Sequence, residues 1–434
     1  MTWAAPIASG PLDARLTVPG SKSLTNRYLI LAALADSPSL LKAPLHSRDS
    51  ALMIQALRSL GAEIEEVPGS GSYGQDLRVT PIPAAYRLGE EAAIDCGLAG
   101  TVMRFVPPVA ALVHGTVTFD GDPHARKRPM APVLGALAAL GVQFSEGAAA
   151  LPFTMDAAGG VKGGYVAVDA SGSSQFVSAL LLAAPRFEEG LHLEHIGKPV
   201  PSLDHIAMSV KLLREAGISV DDSVPNHWIV SPGTIPGFEI QVEQDLSNAG
   251  PFLAAALVTK GTVRIPQWPS GTTQVGDAWR EILAAFGAQV ALEGDTLVVT
   301  GGENIKGVEL ADTSELAPTV AALCALADSP SRLTGIAHLR GHETDRLAAL
   351  ATEINGLGGD VEETADGLII RPKPLHGGLF RSYADHRMAT AGAIIGLAVS
   401  GVEIDDIGST AKTMPEFPQL WQRMLGLSPA ERVS

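Results

Sequence analysis

A chain of 434 residues in which 46% of side chains are apolar and only 18% are charged has material for two domains with sizeable cores. Its formal net charge of −16 argues against a nucleic-acid partner, because a phosphate backbone has to be met by basic surface. No stretch reaches the ~18 uncharged apolar residues of a membrane span, and the start of the chain lacks the basic and apolar regions of a signal peptide. A cytoplasmic location with no membrane partner is therefore expected.

Gly20-Ser21-Lys22-Ser23-Leu24-Thr25-Asn26-Arg27 is a polar box heading an apolar helical run, Tyr28 to Ala35. Asp49 reads as the opening of a second helix over 50–60, with Leu52, Met53, Ala56, Leu57 and Leu60 at helical spacing and Gly61 as its stop. Residues 62–67 and 76–80 alternate as strands. Between them, Gly69-Ser70-Gly71-Ser72-Tyr73-Gly74 matches G-x-G-x-x-G, but that fingerprint needs a strand-to-helix turn, so a glycine-rich hairpin is expected.

Gly97-Leu98-Ala99-Gly100-Thr101-Val102-Met103-Arg104 is a second box. The cluster His124-Ala125-Arg126-Lys127-Arg128-Pro129 follows, and in an acidic chain it reads as a small-anion clamp, since Arg suits planar carboxylate and phosphate. Further boxes are Ser171-Gly172-Ser173-Ser174-Gln175, Asp245-Leu246-Ser247-Asn248-Ala249-Gly250, Asp312-Thr313-Ser314-Glu315 and Ser382-Tyr383-Ala384-Asp385-His386-Arg387. Each precedes an Ala/Leu-rich run of helical character. About 35 to 40 residues later comes a helix end in Gly followed by a strand, at Gly61, Gly141, Gly217, Gly287 and Gly358, with Leu425-Gly426 as a truncated sixth copy. A period of about seventy residues means repeated supersecondary units. Three per domain place one domain at 20–243 and the other at 1–19 plus 244–434, with Ile235 to Val242 as a crossover.

The chemistry lies in the boxes. Helix N-termini present N–H groups and the positive end of the dipole, so several of them meeting at one place would hold a multiply charged anion. Gly20-Ser21-Lys22-Ser23 lacks the Gly-Lys-Ser/Thr order of a nucleotide P-loop, which is rejected, yet Lys, Ser and Arg at a helix start still read as an anion site. Ser173-Ser174-Gln175 offers more hydroxyl and amide groups than one N-cap uses. His338 and His342 have i, i+4 spacing but no evident third ligand, so no metal is expected. Cys96 and Cys324, far apart and in apolar surroundings, read as buried thiols of a reducing compartment.

Together these motifs resemble the enolpyruvyl transferases over nearly the whole chain. The residues that carry the resemblance are Pro19 to Arg27, Ala99 to Arg104, Arg128-Pro129, Ser173 to Phe176, Glu343 to Arg346, Asp385 to Ala389 and Thr410 to Thr413. The resemblance implies an α/β fold of two domains, each of three βαβαββ-type units around a pseudo-threefold axis, with the active site in the interdomain cleft. It also implies transfer of the enolpyruvyl group of phosphoenolpyruvate to the 5-hydroxyl of shikimate 3-phosphate, releasing phosphate, in aromatic amino acid biosynthesis. No cofactor or metal is implied, and a monomer is expected.

By the same resemblance, phosphoenolpyruvate is held by Lys22, Gly100, Arg128, Gln175, Arg346, Arg387 and Lys412. Shikimate 3-phosphate is held by Lys22, Ser23, Arg27, Ser173, Ser174, Gln175, Ser202, Glu315, His338 and His342. Glu315 would take the 5-hydroxyl proton and Glu343 would protonate the methylene carbon, with Lys22 assisting. The chain departs from the family pattern at Glu315, which stands for the usual Asp, and at His342, which stands for the usual Lys and would make a fixed charge titratable. His205, His338, Leu98 and Phe105 also depart, the last two beside the expected phosphoenolpyruvate pocket, where they bear on glyphosate sensitivity. Two alternatives stay open. One is the sister activity on UDP-N-acetylglucosamine, whose loop usually carries a reactive Cys that Gly121 to Pro129 lacks. The other is a non-catalytic anion-binding protein, which would not need both carboxylates.

Overall fold

A computed structural model describes residues 2–69 and 71–427, so Ser70 of the glycine-rich segment lies outside the described residues. The chain divides into two compact units. One runs from Pro19 to Glu243, and the other joins the residues up to Val18 with those from Gln244 onward.

The first unit holds α1 (Lys22–Ala33), α2 (Arg48–Ser59), α3 (Gly100–Ala110), α4 (Ala131–Ala139), α5 (Gln175–Ala183) and α6 (Asp204–Glu215). The second holds α7 (Leu246–Thr259), α8 (Trp279–Ala285), α9 (Ala317–Ala325), α10 (Arg346–Gly356), α11 (His386–Gly396) and α12 (Phe417–Met424). All six boxes stand at helix starts, at α1, α3, α5, α7, α9 and α11, the fifth through a 3-10 turn over Ser314–Leu316. Ser21, Asp245 and Asp385 cap α1, α7 and α11 with their side chains, whereas no side chain caps α3 or α5.

These box helices are apolar nearly all round and are buried accordingly, every residue of α3 among them. In the first unit α1, α3 and α5 pack mutually, and in the second α7, α9 and α11 do the same. Leu29, Ile30, Val102, Val106, Val177 and Leu180 of the first trio are among the core residues of their unit. A helix buried on every side can offer chemistry only at its end. That is why the polar residues collect in the boxes.

The opening of α2 differs from the reading above. Ser47 is the N-cap and forms a reciprocal capping box with Ser50, while Asp49 lies inside the first turn, buried. The paired strands expected after it are present as Glu63–Val67 and Asp76–Thr80, antiparallel across the glycine-rich segment.

Five sheets share one four-stranded plan: a strand lies parallel to a second, which is antiparallel to a third, which pairs with its own hairpin partner. Strands from distant chain segments complete one sheet in each unit. Glu239–Gln241 runs parallel to Ser39–Lys42, and Asp13–Arg15 runs parallel to Thr262–Ile265. The sixth sheet has three strands, Gly378–Phe380, Val402–Ile404 and Trp3–Ala4, so the sixth copy is truncated as expected, with an N-terminal strand on its antiparallel side. Gly61 (φ +102°) and Gly141 (φ +98°) adopt the left-handed conformation that ends a helix, as do Gly217, Gly287, Gly358 and Gly426. The periodic glycine therefore has a backbone cause. Among the described residues, no helix is long and apolar enough to cross a membrane.

Candidate active site

In the first unit the helix heads are tied together by buried polar side chains. Asn26 Nδ2 donates to Thr101 Oγ1 at 2.7 Å, joining α1 to α3. Arg27 is almost completely buried: its Nε donates to Ser209 Oγ at 2.8 Å, Nη1 to the Ser23 carbonyl and Nη2 to the His205 carbonyl, both at 3.0 Å. Its guanidinium also lies 5.1 Å from the Phe105 ring centroid. Because the His205 N–H donates back to the Ser202 carbonyl at 3.1 Å, Arg27 anchors the turn that carries Ser202, a residue with φ of +53°.

At the heads of α3 and α5, Arg104 Nη1 donates to Gln175 Oε1 at 3.1 Å and Arg128 Nη1 to the Leu98 carbonyl at 3.1 Å. Gly100 lies in the middle. A Cβ there would sit 2.8 Å from Arg104 Nη1 and 3.0 Å from both Arg128 Nη2 and Gln175 Oε1, so only glycine lets two guanidinium groups and an amide approach this backbone. Ser174 is buried and Ser173 Oγ accepts from the Gln175 N–H at 3.2 Å. Lys22, at the first position of α1, has its Nζ 3.6 Å from Asp49 Oδ2, a buried carboxylate. The basic cluster narrows on inspection. Arg126 is held at the surface by both oxygens of Asp120, at 2.9 and 2.7 Å, leaving Arg128 as the member that faces Gly100 and Gln175.

The second unit carries a continuous polar network. Ser247 Oγ donates to Glu315 Oε1 at 3.0 Å, and Arg387 Nη2 reaches the same oxygen at 3.2 Å. The Arg387 N–H donates to Asp385 Oδ1 at 2.9 Å, and Asp385 accepts Arg346 Nε and Nη2 at 2.7 and 3.1 Å. Arg346 Nη2 also donates to Glu343 Oε2 at 3.0 Å, and Lys412 Nζ donates to Glu343 Oε1. Side chains along this path are between 0 and 17% exposed, so the charges interact with little screening by water. Burial works against charge on Arg346, yet Asp385 and Glu343, with Glu315 beyond them, hold its guanidinium above its ordinary range.

His342 Nδ1 lies 3.2 Å from Arg346 Nη1. A guanidinium can only donate, so in this contact Nδ1 is the acceptor, while Glu343 Oε2 lies 4.0 Å from the same nitrogen. The contact with Arg346 suits a neutral ring, and the carboxylate of Glu343 suits a protonated one. His338 stands on the same run, its ring 5.7 Å from that of His342.

Backbone strain gathers at the same two boxes. Asp312 (φ +55°) and Ser314 (φ +49°) precede Glu315, while Tyr383 (φ +57°) and Ala384 (φ +54°) precede Asp385. The second turn is pinned from α10. Buried Glu353 accepts the Tyr383 hydroxyl and, at 2.9 Å, the Arg381 N–H. Burial, and then this carboxylate, push the Tyr383 phenol up to about 12.

Sequence reasoning did not assign Ser247, Asp385, Glu353 or Asp49 to the site. Ser247 and Asp385 lie within the boxes, which was a usable signal. Glu353 is a helix-interior acid with no local mark.

The arrangement offers two carboxylates set among cations, and helix N-termini rich in donors. Such groups suit acid–base chemistry on a polyanionic substrate. A family model of EPSP synthase (3-phosphoshikimate 1-carboxyvinyltransferase) matches residues 7–421. The chain belongs to the EPSP synthase family. A 3-phosphoshikimate 1-carboxyvinyltransferase of Kocuria rhizophila is 59% identical to it over 429 residues, covering 98% of this chain and 96% of that one. Two solved structures of EPSP synthase from Acinetobacter baumannii share its fold, with TM-scores of 0.78 and 0.77 at 25% and 24% identity. Each likeness covers 98% of this chain, and 97% and 98% of the respective structures. The fold is thus the two-domain α/β fold of the EPSP synthases, and the resemblance carried by the boxes is borne out.

Proposed function

We propose that this chain transfers the enolpyruvyl group of phosphoenolpyruvate to the 5-hydroxyl of shikimate 3-phosphate with release of phosphate, a step of aromatic amino acid biosynthesis. The observation that carries the chemistry is the network from Ser247 to Lys412, which keeps Glu315 and Glu343 apart but joins them through Arg387, Asp385 and Arg346. Addition followed by elimination needs a base at the attacking oxygen and an acid at the methylene carbon. In this reading Glu315 accepts the 5-hydroxyl proton as that oxygen bonds to C2 of phosphoenolpyruvate, and Glu343 delivers a proton to C3. Loss of a proton from C3 and departure of phosphate then restore the double bond. Incoming phosphate and carboxylate groups compete for Arg346 and Lys412, and a Glu343 released from those cations can carry the proton it delivers.

Phosphoenolpyruvate is assigned to Lys22, Gly100, Arg128, Gln175, Arg346, Arg387 and Lys412. The closeness of Arg128, Gln175 and the Gly100 backbone supports the part of this set in the first unit. Shikimate 3-phosphate is assigned to Lys22, Ser23, Arg27, Ser173, Ser174, Gln175, Ser202, Glu315, His338 and His342. Within that set Arg27 acts chiefly by fixing the Ser202 turn, since its donors are engaged by protein acceptors. The work is assigned to a cytoplasmic monomer without cofactor. Two buried, unbridged cysteines support a reducing compartment.

The name of the Kocuria rhizophila relative favours the shikimate acceptor over UDP-N-acetylglucosamine, as does the absence of cysteine between Gly121 and Pro129. Turnover measured with each acceptor in turn tests the assignment. With phosphoenolpyruvate present, product is expected with shikimate 3-phosphate and not with the nucleotide sugar, and product formed only with the nucleotide sugar would overturn the assignment.

A further inference from the structure

One sheet of the first unit carries an outward face that the proposed reaction does not use. Its strands are Gly164–Val168, Leu191–His195, His227–Val230 and Val220–Asp221. Side chains alternate along them. Val166, Val168, Leu191, Leu193, Trp228 and Val230 are buried, while Tyr165, His192, Glu194, His227 and Ile229 reach water to varying degrees. The register sets Tyr165 beside His192, His192 opposite Ile229, and Glu194 opposite His227, so these residues share one face. Asp221, opposite Ile229, adds a second carboxylate at its edge.

Two imidazoles meet on this face. His192 Nε2 lies 3.2 Å from His227 Nδ1, with ring centroids 5.5 Å apart. Tyr165 packs edge-on against the His192 ring at 5.3 Å and donates its hydroxyl to Glu194. The geometry points to a binding site for one late divalent transition-metal ion, of the zinc or copper class, held by His192 Nε2 and His227 Nδ1. Two nitrogens bound at the usual 2.0–2.1 Å to one ion are about 3.3 Å apart in a tetrahedral site and about 2.9 Å apart when cis in a square-planar one. The observed separation falls between these values, and a tilt of the rings that turns both lone pairs off the N···N line onto one point completes the site.

Without an ion, the same distance is bridged by a ring N–H donated from one imidazole to the other. Binding needs only that proton to move through solvent to an outer nitrogen, Nδ1 of His192 or Nε2 of His227, so that both facing lone pairs are bare and no net charge is lost. Ligand type decides the class of ion. Paired imidazoles suit zinc, copper and nickel, whereas magnesium and calcium take six or more oxygen ligands. Among the described residues no group of three or more His, Cys, Asp or Glu is placed to hold a metal ion, so the two imidazoles would be the protein's ligands and water would fill the other positions. Glu194 and Asp221 supply negative charge on the same face, and a bound ion would link the strand of His192 to that of His227.

Copper is the most sensitive probe, since it heads the affinity order for a given nitrogen site. Untagged full-length protein stripped with chelator would be titrated with Cu2+ alone by calorimetry, and the first equivalent examined by electron paramagnetic resonance. Wild type should take up an equivalent whose hyperfine pattern shows two imidazole nitrogens, with excess Mg2+ failing to displace it. His192→Asn and His227→Asn should each lose the two-nitrogen pattern and weaken that equivalent by roughly 10- to 100-fold or more, since loss of even an outer-shell partner costs that much. Both variants should keep the wild-type circular dichroism, because the residues lie on a solvent-facing surface. Variants that retain the two-nitrogen signal and wild-type affinity would place the ion at other histidines and overturn the proposal, as would a wild type that binds no copper.

Discussion

Replacing Asp385 by Asn removes a negative charge from a position with no exposure to water. The carboxylate accepts Arg346 Nε and Nη2 and the Arg387 N–H at the head of α11. Asn can keep the cap with its carbonyl oxygen, but its NH2 would face a guanidinium that is itself only 2% exposed. Arg346 is then left with Glu343 as its remaining carboxylate partner in this network. Breaking a buried pair by removing one partner costs roughly 3–5 kcal/mol. An exposed pair supplies the control: Arg371, bridged to Asp360 and Glu362 at the surface, should barely move the unfolding transition when changed to Ala. Urea unfolding followed by tryptophan fluorescence is the natural assay, since Trp3, Trp268, Trp279 and Trp421 lie in the same unit as Asp385 and only Trp228 lies in the other. With a slope of about 2–3 kcal/mol per M, the transition of that unit should move down by about 1 to 2.5 M in Asp385→Asn. A shift no larger than that of Arg371→Ala would refute the view that this buried pair organises the site.

Four further outcomes are expected. Glu343→Gln should bind both substrates but turn over more slowly by a factor on the order of 10² to 10⁴; a kcat within threefold of wild type would remove Glu343 from proton transfer. Because His342 Nδ1 accepts from Arg346, wild type and His342→Gln should show parallel pH profiles for shikimate 3-phosphate affinity between pH 6 and 8, as measured by calorimetry. A steeper loss in wild type would restore the titratable-cation reading. Cys96 and Cys324 are both pushed up to about 12 by burial, so iodoacetamide at pH 8 should leave the native protein unlabelled and modify two sites after unfolding, as read by mass spectrometry. The raised thiol values also mean that the fold loses stability as pH climbs from about 8.5 toward 12, because the unfolded chain releases these protons first.

Local signals made the repeat legible. A polar cluster before an apolar run marks a helix start, and a glycine after it marks an end that needs positive φ, so both recur wherever the unit recurs. Glu315 and Arg387 each close a box, while Glu343, Arg346 and Lys412 stood out only through the family resemblance, and the structure links all five in one network. Longer-range order was not legible in this way. The pairing of Trp3–Ala4 with Val402–Ile404, and of Asp13–Arg15 with Thr262–Ile265, joins segments hundreds of residues apart, where the local pattern carries no register. Nor does an arginine at a helix start disclose whether it faces substrate or, like Arg27, the protein's own carbonyls. Asp49 misled because Asp is itself a good helix cap, and only the reciprocal Ser47–Ser50 bonds show which residue took that place.

Phosphate release tests the central claim most directly. Purified chain would be mixed with phosphoenolpyruvate and shikimate 3-phosphate together and with each alone, following inorganic phosphate and the products by phosphorus NMR. The account predicts that phosphate appears only when both are present, in step with one new phosphorylated enol ether and with no metal or cofactor added. Absence of phosphate from the complete mixture, or equal release from phosphoenolpyruvate alone, would contradict it.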